Sequence, residues 1–294
     1  MRYWGTHRKS RGTRDAAYAS SPLERAPERL SERTPEHPPT RARRTQPRDA
    51  FGRFRRGGRD DTYAVASMES PSWREFELDD EPPRARAHPP DAPVRPDGRR
   101  HCGALERILF RQWDAGTELP PPDVVRAIDS LAALPEPLKE KLASGLDGIY
   151  VGAGGVPELD DMAHLRGRPL PSGKATWDIC AGAYGDRKII VGDRPSPTPD
   201  VMMHEVGHAL DDIDGDGAAW QSDSPEFRAL YATCLPYLAS DFHLQRNDLG
   251  RREFFADAFA AIGAAQRPAL VDMLGGNIRI ALNVMLFFHR RYGM

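Results

Sequence analysis

The residues with the clearest chemical potential are His204-Glu205-Val206-Gly207-His208. Residues four apart on a helix stand one turn above each other, so both imidazoles can reach one tetrahedral Zn2+ at about 2.0–2.1 Å. Glu205 falls beside that face, where it can take a proton from a metal-activated water rather than bind the metal. The helix start is marked chemically: Thr198 is the predicted N-cap, Pro199 suits the first helical position and Asp200 adds negative charge to the first turn. The competing reading is a solvent-facing amphipathic helix with two ordinary histidines.

A third protein ligand has two candidates. Asp214 stands ten residues after His204, as in the pattern HExxHxxGxxH/D, but Asp211 replaces the glycine that pattern needs for its turn. Glu253 opens the run Glu253-Phe254-Phe255-Ala256-Asp257-Ala258-Phe259, in which helical spacing puts Glu253 and Asp257 on one face and Phe255 and Phe259 on another. Glu253 would complete a His-His-Glu set, and Asp257 one turn on could accept a hydrogen bond from the remaining ring nitrogen of His204. A solvated acidic helix face is the alternative for this pair.

The two motifs in order, HEVGHALDD at 204–212 and EFFADAF at 253–259, resemble the zinc endopeptidase domain of the anthrax lethal factor group, which includes the secreted Pro-Pro endopeptidases. The likeness spans roughly 148–294 and is firmest over 200–262. It implies a zincin-like fold, His204, His208 and Glu253 as zinc ligands and Glu205 as catalytic base. It also implies a secreted setting, although no signal-like apolar run opens the chain. Members of that group carry a tyrosine seven residues before the third ligand to steady the oxyanion, and this chain has Arg246 there. Arg246 is therefore a candidate oxyanion donor, with His243 and Tyr237 as substitutes if the chain bends locally. An ordinary surface Arg246, and an impaired zincin serving as a protein-binding module, are the other readings; a toxin or effector peptidase is a further one.

These residues need elements to position them. Short β-branched runs closed by glycine predict strands at 148–152 and 188–192, with a third at 176–180. Apolar spacing predicts helices at 104–113, 122–133 and 138–146, then at about 199–212, 225–239, 251–263, 268–274 and 277–290. Strands first and helices after read as α+β. In such a fold the substrate, a protein or peptide, is expected to lie extended along an edge strand within 180–192.

Composition sets the domain expectation. Hydrophobic residues are 39% of 294, with 27 prolines and 26 glycines, so polar sequence dilutes an ordinary domain. The dilution lies in residues 1–100, which hold 22 Lys and Arg against 16 Asp and Glu but only ten Val, Ile, Leu, Met or Phe. That is too little apolar surface to offset chain entropy, so 1–100 is expected to be a disordered Arg/Pro-rich region, with Met68 as an alternative start. A helical lead-in over 101–147 and a zincin-like domain over 148–294 would follow. The arginines of 41–59, interleaved with Phe51 and Phe54, have the charge and stacking for nucleic acid but no fold to aim them, so nucleic acid is not an expected partner. No membrane span is written, a monomer is expected, and Cys102, Cys180 and Cys234 lack the spacing of a disulfide framework or zinc knuckle.

Overall fold

A computed structural model of the chain describes residues 84–159, 162–170, 176–196, 198, 200–216, 219–246 and 248–294. The expectations for 1–83, including disorder, the Met68 start and the arginine-rich 41–59, lie outside them. Residues 84–100, also expected to be disordered, are ordered. Ala85 bridges to Arg111, and the buried Arg111 guanidinium donates to the carbonyls of Gly98 and Arg100 and pairs with Glu106. A buried arginine that pairs with a carboxylate and donates to two carbonyls holds an apolar-poor segment that composition alone would leave unfolded.

The architecture is mixed, with a small four-stranded sheet and a mostly helical C-terminal half. β1 (Leu109–Gln112), β2 (Gly148–Gly152) and β4 (Lys188–Val191) run parallel, and β3 (Gly182–Gly185) closes the order β1-β2-β4-β3 as an antiparallel edge. β3 and β4 join through Asp186 and Arg187, both at positive φ, the twist a two-residue hairpin demands. Two differences from the sequence reading follow. The expected helix at 104–113 is a short 3-10 turn and then β1, because pairing of Leu109 with Ile149 and Phe110 with Tyr150 overrides weak local helical spacing. The expected strand at 176–180 is a 3-10 turn, and the strand starts at Gly182 instead.

The sheet is buried on both faces, as parallel strands require. Ile149, Val151, Ile189 and Val191 face the main core, while Tyr150, Ile190 and Ala183 face a second cluster built from Val156, Leu159, Met162, Leu165, Leu170 and Trp177. The segment after β2, which reads as loop, therefore serves as the cover of the far face.

On the main face, α1 (Pro122–Ala133) buries Val124, Ala127, Ile128 and Leu131, a single i, i+4, i+7 stripe with the helix started by Pro122. α2 (Glu136–Gly145) adds Leu138 and Leu142. At the centre, α3 (Val201–Ile213) crosses α5 (Leu249–Gly263) with almost no exposed face on either. Gly207 permits the crossing: a Cβ there would lie 2.8 Å from Ala256 Cα. α4 (Pro225–Cys234), α6 (Arg267–Met273) and α7 (Ile278–Tyr292) wrap α5, and Phe227, Phe255, Phe287 and Phe288 pack edge to face between them. Among the described residues, no helix is long and apolar enough to cross a membrane. The three cysteines are free and buried.

Candidate metal and active site

The helix that carries the first motif is capped one step later than its sequence suggests. Asp200, not Thr198, is the N-cap of α3: one carboxylate oxygen accepts from Met203 N at 2.9 Å and the other from Ser130 Oγ at 2.7 Å. A carboxylate both neutralises the helix N-terminus and ties it to α1, which a threonine hydroxyl could not do. One turn in, His204 and His208 present their rings 4.6 Å apart, with the two Nε2 atoms facing at 2.9 Å. Both are buried, as is Glu205 between them in sequence.

α5 brings the second motif onto this pair. Glu253 Oε2 lies 3.4 Å from His204 Nε2 and 3.5 Å from His208 Nε2, and it has no hydrogen-bond partner among the described residues. The bonds of a tetrahedral zinc, about 2.0–2.2 Å, would set such donors roughly 3.3 Å apart. Both carboxylate distances match that figure, and the two nitrogens are closer. An unpartnered buried carboxylate oxygen facing two ring nitrogens fits a divalent cation, and these three residues are the cluster the fold offers for one among the described residues. Burial alone would raise the Glu253 carboxyl, but the imidazoles, His208 foremost, outweigh it and hold it down at about 2.

The second ring nitrogen of His204 is held as its sequence suggests. Asp257 Oδ1 lies 2.7 Å from His204 Nδ1. Burial opposes the Asp257 charge, yet His204 and His243 together keep it well below the usual carboxylate range. With an ionised Asp257 as acceptor, His204 carries its proton on Nδ1 and turns the Nε2 lone pair toward Glu253 and His208.

Glu205 looks toward the edge strand. A Cβ on Gly182 of β3 would sit 2.8 Å from Glu205 Oε1 and 2.5 Å from Val201 Cγ1, so this glycine allows β3 to pass directly over the carboxylate. Tyr184, two residues on, donates to Asp212 Oδ2 at 2.6 Å and pins the edge strand to α3. Beyond His208, Trp220 stands edge-on at 6.4 Å, backed by the Arg252 guanidinium over its ring at 4.4 Å. Sequence reasoning did not single out Trp220; nothing in its local pattern marks it. Asp211, three residues after His208 on α3, accepts from Ser222 N at 2.5 Å and so fixes the segment bearing Trp220.

The other sequence candidates fall elsewhere. Asp214 caps the end of α3 and pairs with Lys141 at 2.7 Å and with Arg291, so its charge is already answered away from the histidines. Arg246 is exposed on the turn before α5, and Tyr237 is exposed on a 3-10 turn whose carbonyl approaches Gly275. His243 is fully buried with Nε2 at 2.8 Å from Asp257 Oδ2, so that nitrogen is engaged with a carboxylate rather than presented to a substrate.

No protein-family model matches the chain, and no curated protein matches it either. Among solved structures, it is similar to the Pro-Pro endopeptidase PPEP-2 from Paenibacillus alvei, at 19% identity and a TM-score of 0.47, over 63% of this chain and 100% of that one. The chemistry of the site follows from its side chains and not from that likeness.

Proposed function

We propose that the chain is a zinc-dependent metalloendopeptidase, with His204, His208 and Glu253 holding Zn2+, Glu205 as general base and Asp257 orienting His204. The observation that carries this reading is the convergence of the three buried donor atoms, with a further buried carboxylate, Glu205, directly under an edge strand. Bound there, zinc would supply Lewis acidity, lowering the pKa of a water toward about 7 and polarising a peptide carbonyl.

The chain's own residues supply the rest. A peptide substrate would add to β3 as an extended strand, with main-chain hydrogen bonds fixing its register next to Glu205. Glu205 takes a proton from the attacking water as the new C–O bond forms and gives it to the amine nitrogen as the C–N bond breaks. No covalent enzyme intermediate is needed. The peptidase unit would begin near 84 rather than 148, since β1 pairs with β2 along its whole length and Ala85 bridges to β1 in turn.

A second reading, a zinc-binding module without turnover, is favoured by the exposed Arg246 where the related group has its tyrosine. One experiment separates the two: zinc-loaded wild type and Glu205→Gln are each incubated with a denatured-proteome peptide library and new termini are mapped. Cleavage by wild type alone supports the peptidase. Equal background from both proteins would contradict it.

A further inference from the structure

Asp257 uses both of its carboxylate oxygens, one for each of two buried histidines. Only one of these, His204, belongs to the proposed metal site. We infer that His243 is a positioning residue for that site: by donating Nε2–H to Asp257 Oδ2, it fixes the carboxylate in the plane that receives His204 Nδ1–H. The inference rests on the His204, His208 and Glu253 reading and extends it one residue outward.

The geometry supports a device rather than a chance neighbour. A carboxylate bonded through one oxygen can rotate about its Cβ–Cγ bond, and that rotation would swing the oxygen facing His204. A second donor on the other oxygen stops it. With Asp257 ionised and acceptor-only, both facing ring nitrogens must be the protonated ones, which sets the tautomer of each histidine. His243 Nδ1 is then left as an acceptor, and among the described residues no donor reaches it.

His243 is itself held from three sides. Its ring meets Phe254 edge-on at 5.7 Å, its carbonyl accepts from the Tyr231 hydroxyl, and Gly250 at the start of α5 allows that carbonyl a close approach, since a Cβ there would come within 2.3 Å of it. Tyr231 is on α4 and Gly250 and Phe254 are on α5, so the support reaches His204 from two helices it does not belong to.

The test is zinc affinity at one fixed pH, by competition with a chromophoric chelator, for wild type, His243→Leu, His243→Gln, Asp257→Ala and the pair His243→Leu/Asp257→Ala. Leucine fills the site without a donor, whereas the glutamine amide can reach Asp257 with an N–H. Partners of metal-bound histidines typically govern affinity by 10–100-fold, so His243→Leu should weaken zinc by about 10-fold, and His243→Gln should recover most of that. In the Asp257→Ala background, His243→Leu should do nothing further. Wild-type affinity in His243→Leu, a glutamine variant as weak as the leucine one, or a full further loss in the double variant would each overturn the inference. If the leucine variant does not fold, His243→Ala takes its place as the variant without a donor, under the same criteria, and a loss of about 10-fold in His243→Gln overturns the inference. Should wild type itself take up no zinc, or Glu253→Ala bind it as wild type does, the metal site has failed and His243 falls with it. A zinc-binding wild type with an indifferent His243 sinks only the positioning role.

Discussion

The face of α1 on the sheet and the crossing of α3 with α5 are both sealed from water, yet they are sealed by opposite means. α1 buries Val124, Ile128 and Leu131 and leaves Asp123 and Arg126 outside. The crossing buries His204, Glu205, His208, Glu253 and Asp257, with no exposure above 7%. Desolvating ionised groups costs several kcal/mol each unless partners answer them, while aliphatic burial is favourable by itself. A fold that needed only a core would repeat α1. The crossing instead holds acids and bases at a fixed spacing, and buried ionisable groups so arranged mark a site of chemistry.

The contrast can be broken at either end. The largest effect is expected from Glu205→Gln, which keeps size and loses the proton acceptor: turnover should fall by about 10²–10⁴-fold, while zinc content and melting temperature stay near wild type. Metal analysis and peptide kinetics on one preparation check it, and unchanged turnover removes Glu205 from the mechanism. At the other end, Leu131→Ala should cost about 2–5 kcal/mol in a urea titration and leave zinc affinity alone, because it opens a cavity only in the aliphatic layer. Loss of zinc binding there would mean the two regions are not independent.

Gly207→Ala tests where they differ most. Its methyl would press on the Ala256 backbone, so a destabilisation of about 1–3 kcal/mol should come together with weaker zinc binding as Glu253 is pushed from the histidines. A stability loss with no change in zinc affinity would show that the close crossing serves packing alone.

The remaining effect depends on pH and concerns Asp211. Burial pushes its carboxyl up to about 7, against the opposing hydrogen bond from Ser222 N and the charges of His208 and Arg252. Its unfolded value is about 3.9, so ionising it costs stability progressively as pH rises from there to about 7, and the whole cost is present above. Asp211→Asn can still accept from Ser222 and removes that cost. The melting temperature of the metal-free variant relative to wild type should be higher at pH 8 than at pH 5, and a pH-independent difference would refute the buried-acid account.

The two regions were also legible in different ways. α1 and α2 follow from apolar spacing, because a helix with one buried stripe writes that stripe into its sequence. α3 and α5 are also predicted from apolar spacing, but they are buried on nearly every face, and their role is readable only through residue types: His204 and His208 at one helical turn, Glu253 and Asp257 at another. Their meeting across 45 residues of chain is not readable from spacing and came from resemblance to a known pair of motifs. β1 escaped because its four residues gain strand character only by pairing with β2, and β3 because two of its four residues are glycines. The part played by His243 escaped for the same reason: a lone histidine carries no sign of the carboxylate it will meet. Asp200 in place of Thr198 as the cap is backed by a bond from Ser130 on another helix, a tertiary contact that local sequence does not show.

The central claim is that α3 and α5 jointly make one metal site. The most direct measurement is zinc stoichiometry by elemental analysis of wild type, Glu253→Ala and Asp214→Ala, purified identically and shown folded. The account predicts about one zinc per chain in wild type and in Asp214→Ala and a steep loss in Glu253→Ala. Full occupancy in Glu253→Ala with loss in Asp214→Ala would contradict it, placing the third ligand at the end of α3 and leaving α5 without a part in the site.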